Sequence, residues 1–153
     1  MRSLIVILLS ILGLVYVSYA PFQVADMNWL ATLTLPPFAP PLWLANIAWP
    51  CLYVLMALAL WCVWLKRDHP SAKTAFTVFT IQFLVSLLWG PVVVNTQSPL
   101  LAVLYADTFL FLLVATLATF WRLSKPAGLL LIPGILWILF FACVRTWIWF
   151  HNT

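Results

Sequence analysis

Asn46-Ile47-Ala48-Trp49-Pro50-Cys51-Leu52-Tyr53-Val54-Leu55-Met56-Ala57-Leu58-Ala59-Leu60-Trp61-Cys62-Val63-Trp64-Leu65 runs without a charged side chain and stops on Lys66-Arg67-Asp68-His69. About 20 helical residues rise about 30 Å, which is the thickness of the hydrocarbon layer of a bilayer. In lipid no water is present to satisfy the backbone, so such a stretch must be helical. Four further segments of similar character flank it: Leu4–Phe22, Thr74–Val94, Leu100–Trp121 and Ala127–Phe150. The chain therefore reads as an all-α membrane protein, a bundle of five transmembrane helices forming a single domain over residues 1–153.

Composition agrees. Of 153 residues, 66% are hydrophobic and 7% charged, far too few charges to clothe a soluble domain of this size. The same apolarity excludes disorder. The formal net charge of +4 does not indicate nucleic acid, because most of the Lys and Arg residues lie beside the apolar runs and are not clustered on a polar face. Cys51, Cys62 and Cys143 sit within apolar stretches, and neither they nor His69 and His151 have metal-ligand spacing. No metal site is expected.

The first segment has features of a secretory leader, with Arg2, an apolar run and Ser18-Tyr19-Ala20. Pro21 after the cleavage position and the length of the run favour a retained helix. The connection that follows, about residues 23–45, carries Pro36, Pro37, Pro40 and Pro41 interleaved with Trp29, Phe38 and Trp43. Prolines resist continuous helix, and a loop of this length is usually functional, so it reads as a folded lid. The other connections are short and predict antiparallel neighbours. Arg2, Lys66, Arg67, Lys73, Arg122 and Lys125 all fall on one side of a five-span topology, and no Lys or Arg falls on the other outside the last helix. That asymmetry predicts a cytoplasmic N-terminus and a C-terminus outside.

Ten tryptophans are a heavy load. Those near helix ends, such as Trp61, Trp121 and Trp149, suit an interfacial belt. Trp137 falls mid-span, where its indole N–H still requires a partner, and it either packs in the bundle or lines a cavity. Helical spacing places Asn46, Trp49, Tyr53 and Met56 on one face of the second helix, Gln82, Ser86 and Trp89 on one face of the third, and Trp137, Phe141 and Arg145 on one face of the fifth. Polar groups in spans normally face protein. Three such faces either converge on a site or serve as interhelical hydrogen-bond contacts. Asp107 and Arg145 are charges within predicted spans at comparable depth. They are expected to pair, or Arg145 faces the site as an anion-binding group; the plainer alternative is that Arg145 snorkels to the interface.

The stretch from Trp29 to Trp43, with Leu33, Pro36, Pro40 and Pro41 between, resembles the W-Y-x-x-L-x-K-P-x-x-x-P-P-x-W loop of the TspO family of tryptophan-rich sensory proteins and translocator proteins. Trp49, Leu52, Tyr53, Leu55 and Met56 are similar to the family's W-x-x-L-Y-x-L-M; Gln82 and Trp89 fit its third-helix pattern; Pro133, Trp137 and Phe140 fit its fifth. Ile148, Trp149 and Asn152 fit the terminal I-W-x-x-N. The resemblance implies a five-helix bundle whose first loop caps a pocket, porphyrin-like (haem-type tetrapyrrole) ligands with no required cofactor, and a homodimer. Carried over, the pocket comprises Trp43, Trp49, Tyr53, Gln82, Ser86, Trp89, Trp137, Phe141 and Arg145. The chain departs from the pattern at Leu35, Ser86, Gly134, Phe141 and Arg145. Phe141 is expected to shrink the pocket, and Arg145 to add a charge suited to a carboxylate.

The forward cholesterol motif is absent, and the lack of a basic C-terminal tail predicts a bacterial inner membrane. The function expected is binding of porphyrin-like or other flat hydrophobic ligands in their transport or sensing. The alternatives are a porphyrin-degrading membrane enzyme and a structural membrane subunit without a ligand. No nucleophile–base pair is evident, so hydrolysis is disfavoured.

Overall fold

The computed structural model describes Gly13 and residues 28–152, and every regular element among them is helical. The expected first span, Leu4–Phe22, lies outside the described residues except for Gly13, which is helical. The elements are α1 (Asn28–Thr32), α2 (Leu42–Trp64), α3 (Ala72–Ser86), a π-helical segment (Trp89–Val94), α4 (Pro99–Leu123) and α5 (Lys125–His151). Trp43–Trp64, α4 and α5 are long and apolar enough to cross a membrane, and α3 is a shorter apolar helix. Large apolar side chains such as Leu104, Phe111, Val114, Leu129, Leu136 and Leu139 point outward. A surface of that kind is stable only against lipid, and the chain is a multi-pass integral membrane protein.

Local chemistry sets the element ends. Gln97 adopts a left-handed φ of 51°, turning the chain into Ser98, whose Oγ accepts a hydrogen bond from the Leu101 N–H (3.4 Å). Pro99 follows at the start of α4, where its missing N–H costs nothing. α2 begins at Leu42, four residues before the expected Asn46, so the lid is shorter than the sequence suggests and Trp43 lies in a first helical turn. The third apolar segment, expected as one span over Thr74–Val94, is interrupted at Leu87–Leu88 and resumes as the π-helical segment. Pro91 has no N–H to continue the α-helical ladder, and Gly90 beside it is a poor helix former, which accounts for the interruption.

α5 packs against both α4 and α2, α4 also packs against α3, and α2 meets α3 only sparingly. The half of the bundle next to the basic loops is filled solid. Ala59, Val63, Ala75, Phe120 and Ala127 have no measurable exposure there, and Phe79 stacks on Phe120 at 5.7 Å. The tightest approach is at the α4–α5 hairpin, where a side chain at Gly128 would be driven into the ring of Trp121. At the opposite end Asn152 joins α5 to the lid: its Oδ1 accepts from the Thr34 N–H (2.8 Å), while its Nδ2 donates to Thr34 O (3.1 Å) and to Ile148 O (2.8 Å).

Two outcomes follow from this packing. Gly128→Ala should lower the stability of the purified protein by about 1–3 kcal/mol, read by thermal unfolding in detergent, because the Trp121 ring must move. Asn152→Ala removes both bonds to Thr34, each worth about 1 kcal/mol, so amide exchange in residues 33–40 should speed up about 10- to 30-fold while α4 is unchanged.

Candidate functional site

Away from the basic end, aromatic rings replace small apolar side chains in the interior. On α2, Trp49 and Tyr53 lie with ring centroids 6.4 Å apart. On α5, Trp137 and Phe141 are 5.2 Å apart, and Phe141 reaches across to Trp49 at 5.9 Å. All three pairs are tilted and within the 4.5–7 Å range that favours aromatic contact. Phe140 adjoins the group, 6.2 Å from Trp137. Tyr53 and Met56 are buried beneath Trp49, so the predicted face of α2 does point inward, whereas Asn46 at its upper end is exposed.

A second ring group forms where α3 gives way to the π-helical segment. Trp89 lies 5.5 Å from Tyr105 of α4, and Tyr105 stacks nearly parallel on Phe109 at 6.1 Å. The Tyr105 hydroxyl donates toward Val85 O (3.2 Å) and Ser86 O (3.4 Å). These carbonyls belong to the last turn of α3, where Val85 O also accepts from the Leu88 N–H (3.0 Å), and the phenol from α4 adds a partner from another helix. Tyr105 is a residue of the candidate site that sequence reading missed. Its signal was the i, i+4 pair Tyr105–Phe109 on the small-residue face of α4, with Ala102 and Ala106.

Arg145 joins the two ring groups. Its guanidinium carbon lies 4.2 Å from the centroid of Trp89 and 6.0 Å from that of Phe141. A guanidinium over an indole face is attracted by the ring quadrupole, which offsets part of the cost of holding a cation at this depth. It has no ion pair with Asp107. Asp107 is exposed on the outside of α4, so the expected buried pair is corrected. The depth was right and the direction wrong: at 100° per residue, Asp107 points about 200° away from Tyr105, the α4 residue that faces Arg145's side of the bundle.

The remaining predicted residues fall as follows. Gln82 and Ser86 are buried on the inner face of α3. Ser86 Oγ is occupied, donating to Phe83 O at 2.6 Å. The Gln82 side chain has no exposure, and neither of its amide atoms has a hydrogen-bond partner among the described residues; the indole Nε1 of Trp137 is in the same condition. Buried polar groups are nearly always satisfied; three side chains among the described residues are not, Trp137 in the ring cluster, Gln82 one turn before Ser86 on α3, and Trp61 nearer the basic end, and the first two are available to a bound molecule or water. Trp43 is not brought to the rings. It is 63% exposed, on a face of α2 about 120° from Trp49. The site thus offers flat apolar faces, one cation and two free hydrogen-bonding groups. No cluster of His, Cys, Asp and Glu able to hold a metal occurs among the described residues.

Comparison with known proteins places the chain in a family. The chain is 34% identical over 113 residues to the tryptophan-rich protein TspO of Chlorobaculum tepidum, covering 71% of this chain and 70% of that one. It is 30% identical over 146 residues to the TspO of Archaeoglobus fulgidus, covering 94% of each. Over 129 residues it is 27% identical to the translocator protein of Ovis aries, covering 82% of this chain and 75% of the other. The sequence profile of the TspO/MBR family matches residues 4–150, and the chain belongs to that family.

Proposed function

We propose that the protein binds flat, hydrophobic, porphyrin-like molecules within the membrane and acts in their transport or sensing. The observation that carries this reading is Arg145, stacked on Trp89 at 4.2 Å and adjoining Phe141, with no carboxylate partner among the described residues. A cation held at apolar depth among ring faces suits a ligand that is itself flat and carries a carboxylate, as a porphyrin propionate does. The unpaired amide of Gln82 and indole N–H of Trp137 suit the polar edge of the same molecule. The related proteins named a tryptophan-rich sensory protein, in Cereibacter sphaeroides, and a translocator protein, in Ovis aries, agree with a role in sensing or transport. The lid held by Asn152 would gate access, and the protein would act as a homodimer. Its basic loops would face the cytoplasm of a bacterial inner membrane, with the C-terminus outside.

Titration of the detergent-solubilised protein with protoporphyrin, followed by tryptophan fluorescence, tests the reading. Saturable quenching with unchanged porphyrin absorbance bands is expected. Loss of the bands would mean turnover, and absence of quenching would leave only a structural subunit. Arg145→Leu should weaken binding of the dicarboxylate about 10- to 100-fold, the worth of a hydrogen bond to a charged group, and leave binding of its dimethyl ester unchanged. Gln82→Met, which removes an unpaired buried amide, should raise the ligand-free stability by about 1 kcal/mol and weaken porphyrin binding.

A further inference from the structure

On the opposite half of the molecule a shallow, open groove of about 470 Å³ is lined by Arg67, Lys73, Phe76, Thr77, Thr80 and Ile81. Five of these lie on one strip of α3, at i, i+3, i+4, i+7 and i+8 from Lys73, and the strip continues onto exposed Leu84 and Leu88. The groove therefore has two cations at its mouth and an apolar floor leading along the helix toward the middle of the bilayer. Both threonine hydroxyls are committed to their own helix, Thr77 Oγ1 donating to Lys73 O (3.0 Å) and Thr80 Oγ1 to Phe76 O (2.8 Å). Their methyl groups thus add to the apolar floor, and the charge comes from Arg67 and Lys73 alone.

Arg67 is held in position. Its guanidinium carbon lies 5.6 Å from the ring of Trp64, and Trp64 packs edge-on against Phe76 at 5.9 Å. Neither Arg67 nor Lys73 forms an ion pair among the described residues, although Asp68 is adjacent in the chain. Arg122 and Lys125, at the same end of the bundle, do not line the groove. A second copy of the chain is a poor occupant. A twofold axis along the membrane normal would bring the same two cations of each copy to one depth, and like charges repel.

We propose that this groove binds an anionic phospholipid, its phosphate between Arg67 and Lys73 and one acyl chain along Phe76, Thr80 and Ile81. Charge and apolarity follow one another along α3 in the order in which headgroup and chain follow one another in a lipid. The site is separate from the ring cluster and does not depend on what that cluster binds.

Native mass spectrometry of the full chain, released from phosphatidylcholine nanodiscs containing a minor fraction of phosphatidylglycerol, tests the assignment. The wild type should retain phosphatidylglycerol in preference. Arg67→Gln with Lys73→Gln should weaken that retention about 30-fold, whereas Arg122→Gln with Lys125→Gln, which removes equal charge at the same end, should change it less than about threefold. All four positions are exposed, Arg67 in the turn after α2 and the others near helix ends, and unchanged thermal unfolding verifies the fold. Equal loss in both double variants, or no loss in either, overturns the proposal. So does displacement of the lipid by inorganic phosphate, which would make the occupant a soluble anion. A shift in the monomer–dimer ratio with lipid retention unchanged would give the groove to a second copy and also overturn it.

Discussion

Ser124 alone separates α4 from α5, and with its extended backbone (φ −153°) it reverses the chain in one residue. So short a connection fixes register as well as direction, because residues equally far from Ser124 must lie at equal depth. Trp121 meets Gly128 near the turn, and Leu113 meets Gly134 midway along. Tyr105 and Arg145, 19 residues before and 21 after, both reach the ring of Trp89 at the far end. A side chain at position 128 that held the helices apart would tilt the pair and disturb contacts about 30 Å away, since helical rods transmit an angle along their length.

This hairpin also explains why the bundle has two unlike halves. Near the turn, glycine, alanine and valine allow close approach, the interior is filled, and packing supplies the adhesion that water would otherwise provide. Further along, the interior positions carry Trp49, Tyr53, Trp89, Tyr105, Trp137 and Phe141, bulky rings that meet at tilted angles. The interruption of α3 falls in this second half. Tyr105 donates to carbonyls beside it, and Trp89, just past it, lies over Arg145. A local defect in backbone regularity, set by Gly90 and Pro91, thus shapes the place where the polar chemistry collects.

Phe141 and Arg145, two of the positions at which the motif resemblance led to an expected departure, are the two residues that link the ring groups. Phe141 contacts Trp49, Trp137 and Phe140, and Arg145 contacts Trp89 and Phe141. The two act together, since the Phe141 ring supplies part of the surface over which the Arg145 charge lies. At the basic end the same combination recurs on a smaller scale, with Arg67 over Trp64. There the cation is exposed at the end of the bundle, whereas Arg145 lies between the ring groups.

Much of this was legible without coordinates. The helical class, the apolar segments after the lid, the inward faces of α2, α3 and α5 and the family all follow from hydropathy, a period of 3.6 residues and motif order, which are local properties of the chain. Direction around a helix between distant residues is not local. Asp107 and Arg145 share a depth, which the antiparallel order determines, but Asp107 turns outward because α4 presents its alanines and Tyr105 to the bundle. Trp43 matches its motif position yet faces away, since helix α2 begins early enough to rotate it off the face of Trp49. The bonds of Tyr105 reach carbonyls about 20 residues back on another helix, and the bond from Asn152 to Thr34 spans 118 residues of sequence. Sequence by itself determined which stretches enter lipid and which of their faces are polar. Tertiary structure decided which of those faces meet, because that depends on the register and rotation of rigid helices packed against one another.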